Sequence, residues 1–266
     1  MHKTNSISII IRASGEKTTG ALKQQLASQI DKNDVLIVLD EEISFEEKLE
    51  IGFQKGIHIG NEYTIFIDAD ILLRNKALLK IKKLVNKLPK SNLGFGLKLW
   101  DKFYDRPKFR GLHIYRTELL IKAAEFIPKK NTQVRPESFV KEQMQLIGFP
   151  WNNTLSNYIA GIHDYNQHFN DIYYKFLIRS SRSKKDVAML KEKFGMSTDD
   201  ELKIALKGLK DGEKMTTIIN DKFSYNIDID ALQLKENPVN ESKIDIFLTN
   251  KIIKKFGFSM DSIRRL

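Results

Sequence analysis

The stretch YTIFIDADILLR, residues Tyr63–Arg74, joins an apolar strand to two closely spaced carboxylates. The first five residues are typical of a buried strand, and Asp68 and Asp70 follow it with only an alanine between them. An ionised carboxylate is costly to bury unless a positive group pairs with it. Side chains two residues apart on a strand point the same way. Asp68 and Asp70 are therefore predicted to face one positively charged group just beyond the sheet.

The segments around this stretch alternate strand patterns with helix patterns. Apolar runs at 6–12, 35–39 and 93–100 predict strands, and amphipathic segments at 21–30, 44–56 and 75–88 predict helices. This alternation predicts an α/β class, with a Rossmann-like, mostly parallel sheet flanked by helices. Ligands of such sheets bind beyond the carboxyl ends of the strands. Asp40 follows the second strand and Asp68 and Asp70 follow the third, so all three are expected at one crevice.

The second half of the chain is less regular. Residues 136–148 predict a helix that opens on Pro136 and ends near Gly148. From about residue 183 the pattern changes to amphipathic helices and mixed segments. We therefore expect one domain over residues 1–182 and a mainly helical extension of unassigned role over residues 183–266.

Composition excludes several kinds of chemistry. The chain has 266 residues and no cysteine, so it has no disulfide, thiolate metal site or thiol nucleophile. No apolar run approaches the roughly 20 residues that span a bilayer, and the N-terminus reads as a first strand, so a cytoplasmic location is expected. The net charge of +10 suits an anionic partner or a lysine-rich solvated surface equally well. No zinc or RNA-binding motif is seen, and no nucleic-acid partner is expected.

Asp68 and Asp70 suit a hard divalent cation such as Mg²⁺ or Mn²⁺. Such a cation neutralises a diphosphate and stabilises the charge that develops as the diphosphate leaves. An Asp-x-Asp pair alone is common by chance, and a strand followed by a helix-capping aspartate would look the same. Its position after the third apolar strand of an α/β pattern favours the metal interpretation.

At this point the order of motifs resembles the nucleotide-sugar-dependent glycosyltransferases of the GT-A fold, especially the bacterial family 2 group. The resemblance covers about residues 6–180. It rests on six segments that occur in the family's order: SISIIIR, VLIVLDEE, GFQKGIHIGNEY, IFIDADILL, YRTELLIKAAEFI and PESFVKEQMQLIGF.

The resemblance implies a role for each matching position. Asp40 would hold the base or ribose, and Arg12 is placed with the nucleotide-sugar contacts. Asp68 and Asp70 would bind the metal and the diphosphate, and His163 would add a metal ligand. His168 is the alternative to His163.

The same resemblance makes Glu137 the catalytic base of an inverting reaction. Glu137 matches the second acid of the family's Glu-Asp pair. The chain departs from that pair, because Pro136 replaces its first acid and a glutamate replaces its aspartate. Glu142 is the less favoured base. A retaining mechanism is the alternative if Glu137 does not lie within hydrogen-bond reach of the acceptor hydroxyl.

The implied function is transfer of a sugar, most often from a UDP-sugar in this family, to a hydroxyl of a saccharide or glycolipid acceptor. The cofactor would be Mn²⁺ or Mg²⁺. Surface polysaccharide or lipooligosaccharide synthesis is the expected setting, with peripheral contact at the inner face of the membrane. The alternatives are a catalytically degenerate GT-A protein and a basic α/β module that binds anionic partners. A P-loop at Gly15–Lys17 and a sugar-nucleotide pyrophosphorylase are disfavoured, because their glycine-rich loops are missing.

Overall fold

The protein is described by a computed structural model that covers residues 6–133, 135–180 and 184–215. The strands are β1 Ile7–Arg12, β2 Val35–Leu39, β3 Tyr63–Asp68, β4 Ile71–Leu73, β5 Gly94–Asp101, β6 Arg106–Arg116, β7 Trp151–Asn152 and β8 Ile159–His163. The helices are α1 Thr19–Ala27, α2 Phe45–Ile59, α3 Ala77–Val85, α4 Leu120–Ala124, α5 Pro136–Leu146, α6 Phe169–Ser180, α7 Lys184–Gly195 and α8 Asp200–Lys214. None of these helices is long and apolar enough to cross a bilayer.

The described strands form one mixed sheet in the order β2-β1-β3-β6-β5-β8-β4, with β7 paired to β5. Four of its pairings are parallel, namely β1 with β2, β1 with β3, β5 with β7 and β5 with β8. The other three are antiparallel, because β5 and β6 form a hairpin and β4 folds back along β8. The predicted α/β class, a mostly parallel sheet with flanking helices, is confirmed.

Three aromatic rings pack together in the core. The rings of Phe53, Phe66 and Tyr115 pack edge to face with centroids 5.3–5.5 Å apart. Phe66 belongs to β3 and Tyr115 to β6, and α2 carries Phe53. A capping box between Ser44 and Glu47 starts α2. This packing joins α2 to β3 and β6.

Two compact units meet in the chain between Tyr165 and Asn166. The first contains every described strand and helices α1 to α5. The second contains α6, α7 and α8, in which Tyr173 donates a hydrogen bond to Asp211 at 3.0 Å. The helical character expected after residue 183 is seen in α7 and α8, and the part of that extension after residue 215 lies outside the described residues. The predicted boundary at 182/183 stays a prediction, at a point within the helical unit.

Candidate functional site

The carboxyl ends of three parallel strands lie at one edge of the sheet. In the sheet register, Arg12 of β1 lies opposite Leu39 of β2 on one side and Asp68 of β3 on the other. Asp40 directly follows β2 at the same edge and is exposed. The structure thus places Asp40 and Asp68 at a common edge, as the strand order predicts, and adds Arg12 to it. The nucleoside-binding role of Asp40 stays a prediction.

Arg12 is the positive group that accompanies Asp68. Its Nε donates to Asp68 Oδ1 at 2.8 Å, its Nη2 lies 2.7 Å from the same oxygen, and its Nη1 donates to Glu137 Oε2 at 3.1 Å. The side chain is 3% exposed, and its guanidinium lies 4.8 Å from the ring centroid of Phe45. Burial opposes the charge, but Asp68 and Glu137 raise the pKa of Arg12 above its usual range. Arg12 therefore stays charged and joins the two carboxylates.

Glu137 is surrounded by hydrogen-bond donors and cations. Tyr115 donates to its Oε1 at 2.5 Å, His113 Nδ1 contacts the same oxygen, and Lys141 Nζ lies 3.6 Å from it. Burial opposes ionisation, but Arg12, His113 and Lys141 hold the pKa of Glu137 well below its usual range. A carboxylate held this way is a weak proton acceptor. The predicted role of Glu137 as base stays a prediction, and the contacts support a competing role as a buried anchor.

His113 and Lys141 belong to this site although the sequence analysis gave them no role. Burial lowers the pKa of His113 to about 4 and that of Lys141 to about 8. Lys141 Nζ also lies 4.0 Å from the ring centroid of Trp151. Two patterns could have found this cluster: His113 and Tyr115 alternate on β6, and Glu137 and Lys141 are four apart on α5.

Asp68 is held on one side and open on the other. Its side chain is 32% exposed, and only its Oδ1 contacts Arg12. Enclosure by the surrounding protein raises the pKa of Asp68 to about 6, repulsion from Asp70 and Glu137 adds to the rise, and Arg12 opposes it. A partly open carboxylate that is largely ionised at neutral pH is available to accept a hydrogen bond.

Gly111 leaves room for Asp68. It has a φ of +56°, and a Cβ added there would lie 2.7 Å from Asp68 Oδ2. We expect Gly111→Ala to lower the free energy of unfolding by about 2–4 kcal/mol, because left-handed strain and a clash act together. Chemical denaturation would measure this. Gly148→Ala is the control, since it has a φ of +91° and nothing within 4 Å of its Cβ. Equal losses in the two variants would contradict the clash.

A second cluster contains Asp70, His163 and Asp164. Asp70 precedes β4, whose first residue, Ile71, pairs with His163 of β8. Asp70 Oδ2 lies 3.5 Å from His163 Nε2, and Asp164 Oδ2 lies 2.9 Å from His163 Nδ1. One ligand atom from each of the three residues lies within 4.8 Å of the others. The structure thus brings Asp70 and His163 together and adds Asp164.

The donor atoms of this cluster suit a divalent cation. Two carboxylates and one imidazole match the preferences of Mn²⁺, and the carboxylates also suit Mg²⁺. Asp164 is 1% exposed and has a φ of +63°, and its backbone N–H donates to the carbonyl of Asp70 at 3.0 Å. Strained backbone at a non-glycine residue is typical of functional sites.

Two further predicted ligands have different surroundings. Asp68 contacts Arg12 and is not part of the three-residue cluster among the described residues. Its role as a metal ligand stays a prediction. His168, the alternative to His163, is exposed and belongs to the helical unit.

Comparisons with known proteins found similarity in structure only. No family model and no curated protein matches the chain. Residues 1–349 of TarS from S. aureus match with a TM-score of 0.45 and 12% identity, over 85% of this chain and 77% of that one. TarS has also been solved in complex with UDP-GlcNAc and with UDP.

A second similar structure is a glycosyltransferase involved in glycosylation of the major capsid of PBCV-1. It matches with a TM-score of 0.42 and 13% identity, over 59% of this chain and 94% of that one. A third, 4-diphosphocytidyl-2C-methyl-D-erythritol synthase from Anaerococcus prevotii, has a TM-score of 0.39 and 12% identity, over 72% and 97% of the two chains. These scores describe partial similarity, so the function is argued from the contacts of the chain's own residues.

Proposed function

We propose that this chain is a metal-dependent glycosyltransferase that moves a sugar from a nucleotide-sugar to a hydroxyl of a saccharide or glycolipid acceptor. A UDP-sugar is the expected donor. The observation that carries the proposal is the cluster of Asp70, His163 and Asp164 beside the Arg12–Asp68 pair, at the edge where parallel strands end. The ligands UDP-GlcNAc and UDP in complexes of the similar protein TarS agree with this donor class.

Asp70, His163 and Asp164 would hold Mn²⁺ or Mg²⁺. The bound ion would neutralise the charge of the donor diphosphate. The chain's own residues have separate tasks around that point. Asp40 would bind the nucleoside from the end of β2. Asp68 would accept a hydrogen bond from the donor through its open side. Arg12 would keep Asp68 in place, since both of its nitrogens on that side contact Asp68 Oδ1.

The acceptor hydroxyl needs a base within hydrogen-bond reach. Glu137 is the proposed base from the family resemblance, in which case the reaction inverts the anomeric centre. Its contacts with Tyr115 and Arg12 instead favour an anchoring role. The two roles predict different losses of transfer when Glu137 is replaced.

The first test is a thermal-shift panel of UDP-, GDP-, CMP- and ADP-sugars, each with Mn²⁺ and with a chelator. We expect one nucleotide class to stabilise the protein only when the metal is present, because the metal cluster and the diphosphate bind together. Release of the nucleoside diphosphate from that donor in the presence of acceptor would establish transfer. A shift that persists in chelator would contradict metal-dependent binding. Donor binding without turnover would favour the degenerate-transferase alternative.

A further inference from the structure

The β5–β6 hairpin carries a group of cations that the proposed donor site does not use. Arg106, Lys108 and Arg110, here called the basic strip, occupy alternate positions of β6 and so lie on one face of the strand. All three are positioned over the ring of Tyr104, with guanidinium carbons 5.6 Å (Arg106) and 5.0 Å (Arg110) from its centroid. Tyr104 itself is 7% exposed, so the ring is a fixed support for the three side chains.

Asp101 links the basic strip to the metal cluster. Arg110 Nη1 lies 3.0 Å from Asp101 Oδ2, and that same oxygen lies 4.0 Å from His163 Nδ1. Asp101 is also the residue of β5 that pairs with both Arg106 and His163 in the sheet. The charged groups of the strip gather around the Tyr104 ring. The strip is therefore next to the proposed metal cluster.

The charge of the hairpin is positive and partly accessible. Lys102 adds a fourth cation, and its Nζ donates to the carbonyl of Tyr165 at 3.0 Å. The acids of the hairpin are Asp101, which contacts Arg110, and Asp105, which accepts a hydrogen bond from Trp100 at 3.3 Å. Arg106 is exposed, and Lys108 and Arg110 are half-buried. Guanidinium and ammonium groups gathered around one aromatic ring suit phosphate oxygens.

We propose that the basic strip binds phosphate groups of the acceptor, so that the acceptor is a phosphate-bearing glycan, polyol or lipid-linked sugar. The acceptor role rests on the proposed function, whereas phosphate binding by the strip does not depend on that function. A phosphate bound by the strip would place a neighbouring hydroxyl of the same molecule near the Asp70–His163–Asp164 cluster. The acceptor's charge, more than its sugar identity, would then set its direction in the site.

The test measures binding of short-chain inorganic polyphosphate by isothermal titration in about 0.1 M salt with chelator, so that the metal cluster takes no part. The variant is Arg106→Gln/Lys108→Gln, which leaves Arg110 and Asp101 intact. The control is Lys55→Gln/Lys87→Gln, which removes the same charge from exposed positions outside the hairpin. We expect the Kd to rise about tenfold in the strip variant and less than about twofold in the control. Equal weakening in both variants would show a general charge effect and overturn the proposal.

Two further arms identify the source of the phosphate and separate the two proposals. Vesicles of phosphatidylglycerol and phosphatidylcholine that bind wild type but not the strip variant indicate a lipid-borne phosphate. Strip-dependent binding of soluble polyphosphate alone indicates a water-soluble acceptor. The metal-dependent donor shift should be unchanged in the strip variant. Absence of any donor shift in wild type, with strip-dependent polyphosphate binding, would remove the proposed transferase and with it the acceptor role, while the phosphate site itself would stand.

Discussion

Asp70→Asn is expected to weaken Mn²⁺ binding on the order of 100-fold or more, because loss of an outer partner of a metal ligand alone costs about 10–100-fold. The variant keeps the shape of the side chain and removes one of two carboxylate charges from the cluster with His163 and Asp164. Metal-dependent donor binding and sugar transfer should be lost with it. Titration of Mn²⁺ followed by electron paramagnetic resonance, and the donor thermal shift, measure the two effects.

The control for Asp70→Asn is Glu62→Gln, which removes the same charge from an exposed position before β3. It should bind Mn²⁺ and the donor as wild type does. The unfolding midpoint of Asp70→Asn without metal checks that the variant is folded, and the hydrogen bond from the Asp164 N–H to the backbone carbonyl of Asp70 does not involve the replaced side chain. Wild-type metal affinity in Asp70→Asn would refute the assignment of the cluster.

Glu137→Gln is expected to lower the free energy of unfolding by about 3 kcal/mol, because it leaves buried cations without their counter-charge. Arg12 and Lys141 would lose an ionic partner. The amide nitrogen of the glutamine, which can only donate, would also face groups that donate to the carboxylate of Glu137. For a domain of this size, that loss corresponds to a fall of roughly 6–12 °C in the Tm. Thermal and denaturant unfolding would measure it.

Glu142→Gln is the matched control, since Glu142 lies on the same helix and is exposed. It should have the stability of wild type. The activity of Glu137→Gln, measured well below its lowered Tm, then separates the two roles of Glu137. Transfer that falls by more than about 100-fold with donor binding retained supports the base. Retained transfer in a destabilised protein removes the base and leaves the anchor.

The first three strands and the helix α2 could be predicted because their signals are local. The β-branched runs of β1 to β3 are short and uninterrupted, and Ser44 and Glu47 form the capping box that their spacing indicates. The predicted end of α2 at residue 56 is wrong. The helix continues to Ile59 and ends at Gly60, which adopts the left-handed conformation. Gly56 instead packs closely against Thr64 of β3, a tertiary contact that no local pattern contains.

The pairing of carboxylates with cations could be predicted only in part. The edge shared by Asp40 and Asp68 follows from strand order, and the partnership of Asp70 with His163 is expected from the family resemblance. The separation of Asp68 from Asp70 was not predicted. It arises because Asp68 ends β3 beside Arg12, whereas Asp70 starts the turn into β4, which pairs with β8. Asp68 and Asp70 are only two positions apart in the chain, but they lie beside different pairs of strands.

The hydrogen bond from Arg12 to Glu137 joins residues 125 positions apart in the chain. Contacts between such distant residues form late, because the intervening chain must be ordered first. During synthesis from the N-terminus, the residues of β1, β2 and β3 precede those of α5, and His163 follows later still. Of the two carboxylates that Arg12 contacts, Asp68 is therefore synthesised well before Glu137. The contacts of the site can be completed only when most of the first unit has been made.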